Sequence, residues 1–70
     1  MKITVNGKTE IFASDLSPST LANVITSLGH HPLKVVVEFN GRILSPSLWK
    51  TQEVKTGDII EVVTIVGGGS

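Results

Sequence analysis

The chain predicts an α+β fold in which a mixed sheet of four to five strands packs on one helix, and three observations carry that reading. Apolar and polar residues alternate on both sides of Asn6-Gly7, the strongest short-range signal for a tight hairpin. Leu21, Val24, Ile25 and Leu28 recur at the spacing of one apolar helix face. Two largely β-branched runs, Lys34 to Phe39 and Ile59 to Val66, follow with turn residues between them.

In the first run Ile3 and Val5 alternate with Lys2 and Thr4; after the turn Thr9, Ile11 and Ala13 alternate with Glu10 and Phe12. Asparagine followed by glycine supplies the positive φ angles that a two-residue hairpin loop demands, so two antiparallel strands open the domain. Ser17 then offers an N-cap and Pro18 a first helical residue, where a missing N–H costs nothing. A helix of about three turns is expected to carry the apolar stripe. Gly29 stands where a left-handed cap belongs, Pro32 forbids continuation, and the sheet is the available partner for the stripe.

Lys34 to Phe39 reads as a strand, and Asn40-Gly41 repeats the chemistry of the first turn. Arg42, Ile43 and Leu44 make a short return strand that Pro46 ends. Ser47 to Lys50 fits one helical turn pinning Leu48 or Trp49 against the core, and Lys55-Thr56-Gly57-Asp58 turns the chain into the last strand, Ile59 to Val66. Hairpin, helix and further strands in this order fit the β-grasp or ubiquitin-like arrangement. The last strand then lies mid-sheet beside the first, which accounts for its nearly continuous apolar character and gives the residues after it a rigid base.

Seventy residues make one domain, with a body at 1–66 and a flexible glycine-rich tail at 67–70. Ordering costs about 1 to 2 kcal/mol per residue, and 40% hydrophobic residues suffice for one small core to oppose it. A substrate pocket of roughly a few hundred Å³ would hollow that core out, so a self-sufficient enzyme is not expected. Six Lys and Arg balance six Asp and Glu, which removes the electrostatic argument for nucleic acid or an anionic membrane. With no cysteine there is no disulfide framework and no thiolate chemistry, which fits a reducing compartment. Met1 leads straight into an alternating strand and no run approaches the ~20 apolar residues that cross a bilayer, so a soluble, cytoplasmic protein is expected, monomeric when free.

Side chains that could carry chemistry are few. His30 and His31 are adjacent, diverge in most backbone conformations and have no spaced third ligand, so they read as loop histidines and no metal site is expected. Asp15 and Asp58 sit at turns, where a carboxylate accepts backbone N–H groups. Trp49 reads as a core plug or rim residue, since a base-stacking platform would want more basic neighbours than Lys50. Gly67, Gly68 and Gly69 do not form a phosphate loop, which needs a following helix to aim its N–H groups. On composition alone the tail fits a frayed terminus or a linker unit as well as it fits an arm that enters a slot too narrow for side chains.

The run VVVEFNGRILSPSLWKTQEVKTGDIIEVVTIVGGG from Val35 onward, with the opening KITVNGK, resembles the thiamine-biosynthesis sulfur carriers of the ThiS family. The most specific parts are EFNGRIL with Pro46 and Trp49 after it, the turn at Gly57-Asp58, and the ending VTIVGGG. Small size, a β-grasp layout and a glycine end are shared with molybdopterin-synthase small subunits and ubiquitin-like modifiers; the Pro46 to Trp49 segment and the short ending favour the thiamine branch.

The resemblance implies that a terminal glycine carboxylate is adenylated with ATP by a ThiF-like partner, converted to a thiocarboxylate using a sulfur donor protein, and presented to a ThiG-like thiazole synthase. ATP is then a reagent of the partner, and the chain itself binds no cofactor. Gly69 becomes the sulfur attachment point, whereas this chain carries Ser70 after it, which locks that carboxylate in a peptide bond; removal of Ser70 is therefore expected to precede reaction. Gly67 and Gly68 in the tail, and Val63, Ile65 and Val66 at its base, are the expected partner contacts. With Glu61 facing water, Val63 and Ile65 share its face and Ile60 and Val62 face the helix.

Overall fold

The computed structural model describes residues 1–12 and 18–65. Five strands form one sheet: β1 (Lys2–Val5), β2 (Lys8–Ile11), β3 (Val35–Phe39), β4 (Arg42–Ile43) and β5 (Ile59–Thr64), in the spatial order β2-β1-β5-β3-β4. Helix α1 (Leu21–Ser27) packs on one face. β5 runs parallel to β1 and antiparallel to β3, so the last strand lies mid-sheet beside the first, as the element order requires of a β-grasp.

Both hairpin turns follow from their sequence. Asn6 and Gly7 have φ of 51° and 81°, and Asn40 and Gly41 have 51° and 86°, the left-handed angles at both central positions that match the twist of the flanking strands. The cross-strand pairs Val5 with Lys8 and Phe39 with Arg42 close directly over the two-residue loops.

The helix departs from the expected start. The N-cap is Thr20, whose Oγ1 accepts the Asn23 N–H at 3.3 Å, and α1 is two turns long against the expected three; Ser17, the expected cap, lies outside the described residues. The cause is tertiary pairing just upstream. Val54 donates its N–H to the Ser19 carbonyl and Leu21 donates to Gln52, both at 2.8 Å, with an antiparallel bridge between Thr20 and Glu53. That bridge holds the chain extended until Leu21, beyond the reach of the Ser-Pro signal. The C-terminus follows the sequence: Gly29 at φ 86° donates to Thr26 and His30 donates to Ile25, the paired bonds of a Schellman cap.

The core joins Leu21, Val24 and Ile25 from α1 to Ile3, Val5, Val35, Val37, Ile60 and Val62 from the sheet. Trp49 and Val54 complete it. The turn at Pro46–Leu48 is a 3-10 turn that leaves Leu48 exposed and buries Trp49, whose indole N–H donates to the Leu44 carbonyl at 2.9 Å. β2 differs in phase from its simplest reading. Ile3 pairs with Glu10 and Lys2 with Ile11, so Ile11 faces outward while Phe12 packs on the core.

Candidate functional site at the end of the central strand

β5 outruns its neighbour β1. Their parallel register covers Thr4 with Ile59 and Val5 with Ile60, and then β1 turns away at Asn6. The backbone of Asn6 still donates to Ile60 at 2.9 Å. Its side chain continues the ladder one step further: Oδ1 accepts the Val62 N–H at 2.7 Å and Nδ2 donates to the Val62 carbonyl at 3.2 Å. An amide side chain thus takes the place of a missing strand residue, satisfying a backbone donor and acceptor that the ending strand would have orphaned.

On its other side β5 stays paired with β3 to its end, with Val63 opposite Val36 and Thr64 opposite Val35. Ile65, just past the strand, donates its N–H to the Lys34 carbonyl at 2.8 Å. Lys34 closes a 3-10 turn, Pro32–Lys34, whose N-cap is His31: the imidazole Nδ1 accepts the Leu33 N–H at 3.1 Å. His31 therefore has a structural task at the base of the tail that adjacency with His30 did not reveal. Among the described residues no three His, Cys, Asp or Glu side chains are grouped to hold a metal ion.

Among the described residues no element covers the outer face of the sheet, opposite α1. Ile60 and Val62 point inward and are buried, so Ile59, Glu61, Val63 and Ile65 point outward, with Val63 58% and Ile65 50% exposed. Mid-sheet position alone therefore does not explain the apolar character of β5, because the helix covers one face only. Val36 and Ile43 add to the exposed apolar surface, and Glu38 lies opposite Glu61. Among the described residues the one ion pair is Lys55 with Glu53 at 3.9 Å, and it involves neither of these glutamates.

At the far end of β5 a second asparagine acts in parallel. Asn40 Oδ1 accepts the Ile59 N–H at 2.8 Å and Nδ2 donates to Asp58 Oδ1 at 3.1 Å, while Asp58 Oδ2 accepts the Lys55 N–H at 2.8 Å. Asp58 is thus the turn-stabilising carboxylate its position promised. Asp15, Val66, Gly67, Gly68, Gly69 and Ser70 lie outside the described residues. Sequence reasoning placed Val63 and Ile65 on the outer face but missed both asparagine side chains and Lys34. The signal for Asn6 was available, since a strand ending earlier than its parallel neighbour needs a polar side chain at the break.

The ThiS family model matches residues 3–69 of the chain. The chain belongs to the ThiS family. Its β-grasp fold is shared with the crystal structure of a thiamine biosynthesis protein (ThiS) from Geobacter metallireducens, 31% identical, with a TM-score of 0.82 over 99% of this chain and 100% of that one. An NMR solution structure of a thiamine biosynthesis protein from the same organism is likewise 31% identical, with a TM-score of 0.78 over 100% of this chain and 90% of the other. A thiazole synthase from Paramagnetospirillum magneticum is 34% identical over all 70 residues, and the chain spans 21% of that protein's length. The relative is thus several times longer than the segment that matches. Among the described residues no helix is long and apolar enough to cross a membrane.

Proposed function

We propose that the chain is a sulfur carrier for thiazole formation in thiamine biosynthesis, acted on by enzymes and not itself one. The observation that carries the reading is the family match, which runs to Gly69 and includes all three glycines after β5. A carboxylate resists nucleophiles because its charge is delocalised and oxide is a poor leaving group, so it must be activated first. Attack of the Gly69 carboxylate on the α-phosphorus of ATP, in an adenylating partner, releases pyrophosphate and leaves an acyl-adenylate. Hydrosulfide supplied from a donor protein then attacks the acyl carbon and displaces AMP with loss of its proton, so the carboxyl group holds sulfur in place of one oxygen.

The Gly69 carboxylate exists only once the bond to Ser70 is cut. No cysteine competes for the sulfur, so the carboxyl group is its seat in transit. Thiazole synthase is the acceptor this reading favours, because a protein of that name contains a segment similar to the whole chain. Val63, Ile65 and Val66 at the base of the tail, with Gly67 and Gly68 within it, form the contact region for these partners. Neither nucleic acid nor a membrane has a part in the proposal, and the working place is the cytoplasm.

The test compares chains ending at Gly69 and at Ser70, each incubated with the adenylating enzyme, ATP and a sulfide source and read by intact mass. The shorter chain gains the mass of an oxygen-to-sulfur exchange and the longer chain stays unchanged. An unreactive shorter chain sinks the reading. Lysine-linked conjugates in cell extract would identify a protein modifier instead, and delivery of the sulfur to a dithiolene would identify a molybdopterin-synthase subunit.

A further inference from the structure

We infer that Asn40-Gly41 is a site of spontaneous covalent modification, where the asparagine amide is lost as ammonia, and that the fold protects the identical dipeptide Asn6-Gly7. The inference stands apart from the carrier reading and rests on how the two turns are held.

Asparagine is among the thermally labile residues, and glycine after it leaves the main-chain nitrogen unhindered by a Cβ. That nitrogen attacks the asparagine Cγ. The new N–Cγ bond closes a succinimide ring, the Cγ–Nδ2 bond breaks, and the glycine amide proton departs with the nitrogen as ammonia. Water then opens the ring. Hydrolysis at Cγ leaves aspartate; hydrolysis at the main-chain carbonyl leaves isoaspartate, whose backbone runs through the former side chain. One water enters, one ammonia leaves, and no oxidant or reductant takes part. Backbone shape does not distinguish the two sites, since both asparagines have φ of 51° and neither glycine has a heavy atom within 4 Å of where a Cβ would stand.

Ring closure requires the side chain to leave its partners and the turn to open, so the rate follows the population of the open turn. Asn6 is held at 2.7 and 3.2 Å by both backbone groups of Val62, in a part-buried setting. Its hairpin is closed by four cross-strand pairs, from Val5 with Lys8 to Lys2 with Ile11. The Phe12 N–H to Met1 carbonyl bond at 2.8 Å and the Met1 ammonium to Phe12 carbonyl bond at 3.0 Å extend it. Asn40 has two exposed side-chain bonds, to the Ile59 N–H and the Asp58 carboxylate, for which water competes. Its return strand β4 has two exposed residues, paired with Glu38 and Phe39 and followed by the bond from the Leu44 N–H to the Val37 carbonyl. Each asparagine N–H also donates to β5, at 2.9 Å from Asn6 to Ile60 and 2.8 Å from Asn40 to Ile59, and that bond is common to both turns. The β3–β4 turn therefore opens more often than the β1–β2 turn.

The product changes what the turn does. Aspartate at position 40 sets a second carboxylate against Asp58 where an Nδ2 donor stood, and a chain of formal net charge zero gains one negative charge. Isoaspartate lengthens the main chain at the loop and disturbs the pairing of Phe39 with Arg42. In either form the brace between this turn and the one at Asp58 is lost, while the Asn6 clamp on Val62 stays.

The experiment warms the wild-type chain at mildly alkaline pH, folded and in concentrated urea, and samples it over days. Trypsin separates the two sites into peptides 3–8 and 35–42, in which mass spectrometry reads amide-to-acid exchange and isoaspartyl methyltransferase labels the isomer. In the folded chain Asn40 is expected to react roughly tenfold or more faster than Asn6, and in urea the two rates come within roughly threefold. Equal rates in the folded chain overturn the inference. So does a folded chain in which neither site reacts while the urea sample is exhausted. A preference for Asn40 that persists undiminished in urea belongs to the flanking residues and overturns the role of the fold. Asn40→Asp supplies the direct product, and its urea midpoint is expected to lie below that of the wild type; equal midpoints overturn the loss of the brace.

Discussion

The two Asn-Gly turns share a dipeptide, a backbone shape and a neighbour, and they differ in what the asparagine side chain does. Asn6 and Asn40 have the same φ of 51°, and each reaches β5 from one side. Asn6 gives both of its polar atoms to one residue, Val62, in a half-buried setting. Asn40 divides its atoms between the Ile59 N–H and the Asp58 carboxylate, both exposed. The shared part is turn chemistry, which any hairpin of this kind requires. The unshared part is strand completion at one end and turn-to-turn bracing at the other, so the same two letters contribute differently according to where the neighbouring strand stops.

The largest expected effect is Asn6→Ala. It removes two half-buried hydrogen bonds, each worth about 0.5–1.5 kcal/mol, and puts a Cβ without local hydrogen bonding at a left-handed angle, for a loss of about 2–4 kcal/mol in denaturant unfolding. Hydrogen exchange at the Val62 amide should quicken with it, and an unchanged Val62 amide would mean that the clamp is incidental. Asn40→Ala shares the backbone cost, but water can replace its exposed bonds, so it should destabilise by about 1 kcal/mol less. Equal losses for the two alanine variants would erase the distinction between the turns.

The glycines sharpen the comparison from the opposite direction. Gly7 at φ 81° and Gly41 at 86° both have open space where a Cβ would stand, so Gly7→Ala and Gly41→Ala should each cost about 1 kcal/mol and agree with one another. Thermal melts of the two would disagree if one turn were strained by its surroundings. The smallest effect is a coupling. In a double-mutant cycle Asp58→Ala should interact with Asn40→Ala by about 0.5–1 kcal/mol and add simply with Asn6→Ala, because Asp58 touches one asparagine and not the other. Coupling of equal size to both would point to a diffuse change in β5.

Much of this fold was legible because its local signals agree with its long-range pairing. Asn-Gly at 6–7 and 40–41 fixed two hairpins, the stripe from Leu21 fixed the helix face, and Gly29 fixed its end. Misreadings arose where distant residues decide. Ser17-Pro18 is a sound helix start until Glu53 and Val54 pair with the residues after it. The facing of Ile11 and Phe12 depends on register with Lys2 and Met1, which alternation in β2 alone cannot set. At the candidate site Val63 and Ile65 followed from strand period once Glu61 was taken as solvated. Lys34 and the opposition of Glu38 to Glu61 needed the β3–β5 register, and that becomes visible only when the sheet is assembled.

The side-by-side course of the first and last strands also bears on mechanics. Met1 lies at the lower end of β1 and Thr64 at the upper end of the parallel β5, so a tug on the C-terminus against an N-terminal anchor draws the two strands lengthwise past each other. Bonds across such a pair are loaded together in shear and do not open one by one like a zipper. Tension applied beyond Thr64 is therefore resisted by the β1–β5 bonds acting together.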